Sequence, residues 1–377
     1  MQLNNKVIMA AAGAGKTWGI CKEVIEEAKK TNKKILITTY TNKGIESIEK
    51  EYRKQNSGVV DENIVILTWF QFLLSDLVKP YQRSILNEYN VIKSIDFNKQ
   101  YGFINYAKRG TRSHYITKNN DILSNTVSEF VIDSNKKVQG KVIERLEEVY
   151  SRIYIDEIQD LTGEDLELLK LLFDSKVYVE CVGDYKQSTY TTHNSKKNKK
   201  QTGLNIIDYF RELEKENKIE LYFNKKTRRF GKEICSFSND IFENSEDVIE
   251  SDVDYNQENM GVYLIENKDV ELYYRKYNPT VLKYDVKTQN IPYTSFNFGQ
   301  CKGMTFDRVL IYPNNTYKSF LKSNEKLKAP CKYYVSATRA KYSVVFVVDK
   351  IYENDKFKYV NMILDNNNIK VSKYTIN

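Results

Sequence analysis

The chain has 377 residues, 41% hydrophobic and 29% charged, a balance that fits a globular protein with two or three domains, each able to bury its own core. No apolar run approaches the length needed to span a bilayer, so no membrane partner is expected. The formal charge of +8 is modest for this size, and five singly scattered cysteines with only two histidines argue against zinc or a disulfide framework and for a reducing, cytoplasmic setting.

In chain order, short β-rich apolar runs predict strands at residues 6–10, 34–39, 63–68, 152–155 and 177–182. Helices are expected at 16–30, directly after a glycine turn, and at 41–55, where Ile45, Ile48 and Tyr52 recur at helical spacing. This alternation is the pattern of a parallel sheet flanked by helices, an α/β fold. The polar, Tyr-rich block after residue 75 breaks the rhythm and reads as a small inserted subdomain. A second alternating half begins near Ile219 and continues with strands at 261–265, 280–284, 308–312 and 343–348. Two basic runs stand out: Lys108, Arg109 and Arg112, and Lys196, Lys197, Lys199 and Lys200. Each is either a solvated loop or a contact with a polyanion.

Residues 6–17 read KVIMAAAGAGKT: a strand, a turn of small residues, then Gly15, Lys16 and Thr17 opening a helix. Backbone N–H groups at a helix start carry partial positive charge, and only small residues let the chain wrap a phosphate closely. Ala12, Gly13, Ala14 and Gly15 would cradle the phosphates of ATP, Lys16 would neutralise them and the Thr17 hydroxyl would ligate Mg²⁺. Ala10 stands where the strict pattern has its first glycine. A second element, Ile153 to Glu157, is an apolar run ending in two acids. Mg²⁺ needs oxygen ligands and an attacking water needs a base, which suits Asp156 to the metal and Glu157 to the water. Taken alone, such a pair is also an ordinary solvated helix start.

With Gln159 and Asp160 the acids complete DEIQD, which resembles motif II of the UvrD/Rep-like superfamily one DNA helicases. ILITTYTNK (35–43) resembles motif Ia, which implies contacts from Thr39, Tyr40 and Asn42 to single-stranded DNA. Thr68 and Trp69 are similar to the next DNA-contacting pair, with Phe70 in place of the usual histidine; core packing is the plain alternative for both Tyr40 and Trp69. VGDYKQSTY (182–190) resembles motif III and puts Gln187 in the role of γ-phosphate sensor. TRRFGKEI (227–234), QCKGMTFDRV (300–309) and YVSATRAK (334–341) resemble motifs IV, V and VI. The resemblance implies Arg229 on the γ-phosphate, Arg339 as arginine finger, and Arg228 and Gly303 among the nucleotide contacts.

The fold so implied has two RecA-like P-loop domains. The first spans 1–75 and 141–215, the small inserted subdomain spans 76–140, and the second RecA-like domain spans 216–377 with a short insertion near 243–293. The implied activity is that of an ATP-dependent translocase or helicase on single-stranded DNA, with RNA as the other polymer. The alternative is a nucleic-acid- or partner-gated ATPase clamp within a larger complex, where a nuclease or other subunit supplies a further activity. Departures from the family are local. Gln2 is too close to the first strand to read adenine, and Arg228 replaces a stacking tyrosine. After motif III, Thr191 to Asn194 replace a tryptophan-bearing segment, and Gly299 and Thr305 replace a histidine and a glutamate. Too few residues separate motifs IV and V for a large duplex-contacting subdomain, which favours translocation over processive unwinding.

Overall fold

The computed structural model describes residues 4–86, 91–98, 107–189, 197–242, 247–288 and 291–376. The chain divides into two α/β units, Met1–Met9 with Lys16–Phe223, and Ala10–Gly15 with Asn224–Asn377. Among the described residues, no helix is long and apolar enough to cross a membrane.

In the first unit the strands are β1 (Asn5–Ala10), β2 (Lys34–Thr39), β3 (Ile64–Thr68), β4 (Ile95–Asp96), β5 (Ile122–Leu123), β6 (Tyr150–Asp156), β7 (Tyr178–Gly183) and β8 (Ile219–Asn224). Six of them form one sheet in the order β3-β2-β6-β7-β1-β8, and the pairs from β3 through β1 are parallel. β2, sequence KILITT, is buried at every position after Lys34, as a strand covered on both faces must be. The helices are α1 (Lys16–Ala28), α2 (Asn42–Gln55), α3 (Trp69–Phe72), α4 (Arg112–Tyr115), α5 (Val127–Lys137), α6 (Lys141–Val149), α7 (Glu164–Phe173) and α8 (Ile206–Lys215). α2 buries Ile48 and Tyr52 and is capped by Thr41, whose hydroxyl accepts the Gly44 N–H at 3.0 Å.

Two expectations change here. The strand near Ile219 does not open the second half; as β8 it lies beside β1 at the edge of the first sheet. The block after residue 75 is not wholly separate either, because Val127, Phe130 and Val131 of α5 share one core with Val7, Leu36 and Ile153 of the sheet.

The second unit contains β9 (Lys226–Thr227), β10 (Glu250–Ser251), β11 (Gly261–Glu266), β12 (Thr280–Lys283), β13 (Ser295–Asn297), β14 (Phe306–Tyr312), β15 (Ala340–Val348), β16 (Phe357–Leu364) and β17 (Asn367–Tyr374). Its helices are α9 (Lys232–Asp240), α10 (Val270–Tyr277), α11 (Asn315–Ser323) and α12 (Pro330–Ala337). Seven strands form a sheet in the order β13-β12-β14-β15-β11-β17-β16, parallel up to β11 and closed by the antiparallel hairpin β16–β17. The span 243–293 is therefore no simple insertion: β11 and β12 sit inside this sheet, and Tyr263, Ile265 and Val281 belong to its core. The strands themselves were expected, at 261–265 and 280–284; what differs is that they belong to the main sheet and not to an insertion.

Candidate functional site

The candidate site lies at the carboxyl ends of the first sheet's parallel strands, where open α/β sheets bind ligands. After β1 the chain turns through Gly13 and Gly15, at φ +77° and +80°, a left-handed conformation that glycine adopts at little cost, and α1 begins at Lys16. The Thr17 hydroxyl donates to Asp156 Oδ2 at 3.1 Å. Asp156 ends β6 and is buried, and burial, followed by the neighbouring charge of Glu157, pushes its carboxyl up to about 6 against the pull of Lys16. A hydroxyl and a buried carboxylate destabilised by a second carboxylate form a hard-oxygen donor set that suits Mg²⁺. Glu157 itself takes φ +58°, left-handed and costly for a residue with a Cβ; such local strain clusters at functional sites.

A chain of polar side chains runs from this acid into the turn that follows β7. The Gln159 amide donates to Glu157, and Gln159 Oε1 accepts the Asp184 N–H at 2.9 Å. Asp184 Oδ2 in turn accepts Gln187 Nε2 at 2.7 Å. Gln159, Asp184 and Gln187 are all buried, so the bonds among them form away from bulk water, whereas Glu157 is partly exposed. The bare glycine at 183 makes room for the chain: a Cβ there would lie 2.4 Å from Gln159 Oε1 and 2.6 Å from Ile158 Cγ2. Sequence reasoning assigned Gln187 but no role to Gln159, Asp184 or Gly183. The only local signal was the DEIQD and VGD patterns themselves.

In the second unit, Arg229 Nη1 donates to the Thr338 carbonyl at 3.0 Å. Segment Ala10–Gly15 groups with this unit: the Thr227 hydroxyl donates to Ala12 O at 2.7 Å and the Arg228 N–H to Gly13 O at 2.9 Å. A Cβ at Gly13 would lie 2.4 Å from Arg229 Cβ. Arg339 is buried, with Nε on Val335 O at 3.0 Å, Nη1 on Met304 O at 3.2 Å and Nη2 on Thr338 Oγ1 at 3.2 Å. Arg228 is mostly exposed, 3.7 Å from Asp252, and Gly303 turns at φ +79° with open space where a Cβ would be.

The residues expected on nucleic acid divide. Thr39 and Thr68 end β2 and β3 and are buried, Asn42 is exposed, and Tyr40 is half-buried. Trp69 overturns its expectation: it is 1% exposed, packed against Phe72, and its indole N–H donates to Asp165 Oδ1 at 3.1 Å. A ring so enclosed offers no face to a base. The basic runs also resolve in part. Arg109 is held by Asp133 at 2.7 Å, Glu129 at 2.9 Å and Glu164 at 3.6 Å, so it is the hub of an acidic cluster and not a phosphate contact. Lys197 stands 3.5 Å from both Glu164 and Glu167, while Lys199 and Lys200 are exposed. Lys196 and residues 191–194 lie outside the described residues.

A family model described as AAA domain matches residues 1–193, just over half of the chain. The chain belongs to the AAA domain family. The span matched to the AAA domain contains Lys16, Thr17, Asp156, Glu157 and Gln187, whereas Arg229 and Arg339 lie beyond it. Among curated proteins there is no match. Solved structures similar to this AAA domain protein include Arterivirus nonstructural protein 10, a helicase, at 12% identity and TM-score 0.48, covering 91% of this chain and 59% of that one. The same protein in complex with DNA gives 12% identity and TM-score 0.47, with 91% and 60% coverage. Methylated PRRSV nsp10, also a helicase, gives 14% identity and TM-score 0.24, with 92% and 54% coverage. The chain thus spans somewhat over half the length of these structures.

Proposed function

We propose that the protein is a nucleoside-triphosphate-driven translocase on single-stranded nucleic acid, of the UvrD/Rep-like helicase type. The observation that carries this reading is the hydrogen-bonded chain Glu157–Gln159–Asp184–Gln187, buried beyond Glu157, which ties the acid suited to water activation to the residue suited to sensing the terminal phosphate. In this reading Lys16 neutralises the β- and γ-phosphates, Thr17 and Asp156 hold Mg²⁺, and Glu157, oriented by the Gln159 amide, accepts the proton of the attacking water. When bound, Mg²⁺ supplies charge neutralisation on the phosphate oxygens. Arg229 and Arg339 are assigned to stabilising γ-phosphoryl charge, Arg228 and Gly303 to nucleotide contacts, and Thr39, Tyr40, Asn42 and Thr68 to the strand.

The test is triphosphate turnover with and without single-stranded DNA or RNA at low salt. Strong stimulation is expected; Lys16→Ala should abolish turnover, and Glu157→Gln should bind ATP without hydrolysing it. Glu157→Gln turning over at the wild-type rate would remove Glu157 as the base. A second reading, an ATPase clamp gated by a partner, gains from the burial of Trp69, which takes away one expected stacking platform. It predicts turnover indifferent to every nucleic acid and responsive to a co-purifying protein.

A further inference from the structure

With Trp69 enclosed, a different ring in the first unit, Phe97, is presented to solvent at the end of a file of rings that starts where β2 and β3 end. Tyr40 directly follows β2, and Phe70 comes two residues after the end of β3. Their rings lie 5.8 Å apart, and Phe70 makes a T-shaped contact with Phe97 at 5.1 Å. The file thus runs from half-buried Tyr40 through buried Phe70 to Phe97, which is 59% exposed beside β4. A singly exposed phenylalanine is usually unremarkable. This one differs in being braced edge-to-face by a buried ring, which limits the ordering entropy lost when something stacks on it.

A second, independent feature lies next to Tyr40. α2 begins at Asn42 with no acidic residue in its first turn, and Lys43 there is exposed. A helix start of this kind favours a phosphate. Gly44 lets that turn sit tightly on the end of β2, since a Cβ would lie 2.6 Å from Thr39 Cγ2. An exposed ring and a phosphate-favouring helix start, linked through Phe70 and Tyr40, are the two kinds of group a strand needs: a π-face for a base and positive potential for the backbone.

We propose that Phe97 is a stacking platform for one base of a single-stranded nucleic acid, at the exposed end of the Tyr40–Phe70–Phe97 file. The inference rests on the nucleic-acid reading above and names a contact within it. Because every base has a π-face, the platform is tolerant of sequence and serves DNA and RNA alike.

The experiment measures fluorescence anisotropy of labelled oligo-dT and oligo-rU with the full chain across a range of salt. Phe97→Ala should weaken binding by about tenfold or more, Phe97→Leu should weaken it comparably because the ring is lost, and Phe97→Trp should stay within about twofold of wild type. The slope of log Kd against log salt should be the same for all four proteins, since no phosphate contact is removed. Phe97→Leu keeps an apolar contact to Phe70, so its result stands even if the alanine variant unfolds. Wild-type affinity in Phe97→Leu or Phe97→Ala, or a shallower salt slope in either, overturns the platform. If the wild type binds neither polymer at low salt, the nucleic-acid reading itself falls, and the platform with it.

Discussion

Trp69 separates a core residue from a strand-binding one, and the two roles predict opposite experiments. The indole is 1% exposed within the core of the first unit, and its N–H bonds the carboxylate of Asp165, which also accepts the Ser128 hydroxyl. Trp69→Phe keeps an aromatic ring but removes that donor. Leaving a buried carboxylate short of one hydrogen bond costs about 1–3 kcal/mol. Trp69→Ala adds a cavity, for a total of about 3–5 kcal/mol. Against a typical domain stability of roughly 5–15 kcal/mol, the alanine variant should sit near the edge of folding. Urea unfolding followed by circular dichroism measures the loss directly, with the midpoint falling and its slope little changed. Oligonucleotide affinity, measured on the folded Phe variant, should stay within about twofold of wild type, because stacking losses of about 1–3 kcal/mol arise only where a ring meets a base. An unchanged midpoint in Trp69→Phe together with clearly weakened single-strand binding would refute the reasoning.

Other consequences are equally direct. Gly183→Ala forces a Cβ against Gln159 Oε1, so turnover should fall by about tenfold while the affinity for a fluorescent nucleotide stays within a few-fold; an unchanged rate would disconnect the Gln159–Asp184 bond from catalysis. Glu180 is buried in β7, and burial followed by the charge of Glu23 raises its carboxyl above the ordinary value of 4.5, despite the Tyr178 hydroxyl at 2.8 Å. A raised carboxyl stabilises the fold below its unfolded value and loses that contribution as pH rises through the folded one. Glu180→Gln should therefore raise the melting temperature at pH 8, and the gain should disappear as pH falls below about 4.5; an equal gain at every pH would contradict the titration. Arg339 anchors to three groups in its own unit, so Arg339→Ala should lower both turnover and thermal stability, with nucleotide affinity changing less than the rate.

What the sequence revealed was local. The strand at Lys34–Thr39 was read to the residue because five buried β-branched and apolar positions in a row leave a parallel-sheet strand little alternative. The turn between β1 and α1 declares itself through its glycines and the Lys-Thr pair, and the acids ending β6 through the apolar run before them. What stayed hidden depends on distant partners. Trp69 is fixed by Asp165, and β8 is fixed by β1, from opposite ends of the first unit's chain. Arg109 looks like a phosphate ligand until Glu129, Asp133 and Glu164 close around it. Neither spacing nor propensity encodes such pairings, because each is decided by how the sheet is ordered and which loops meet at its edge. Phe97 was equally silent, one aromatic among several in a polar, Tyr-rich stretch, and its interest comes only from the ring beneath it.

Arrival kinetics test the motor claim most directly. Protein bound at random along single strands of increasing length, each with a fluorophore at one end, is started by adding ATP and Mg²⁺. A translocase gives a lag and a signal duration that grow in proportion to strand length, and Lys16→Ala gives no signal. A duration independent of length, with ATP still being hydrolysed, would contradict movement along the strand and leave a clamp in its place.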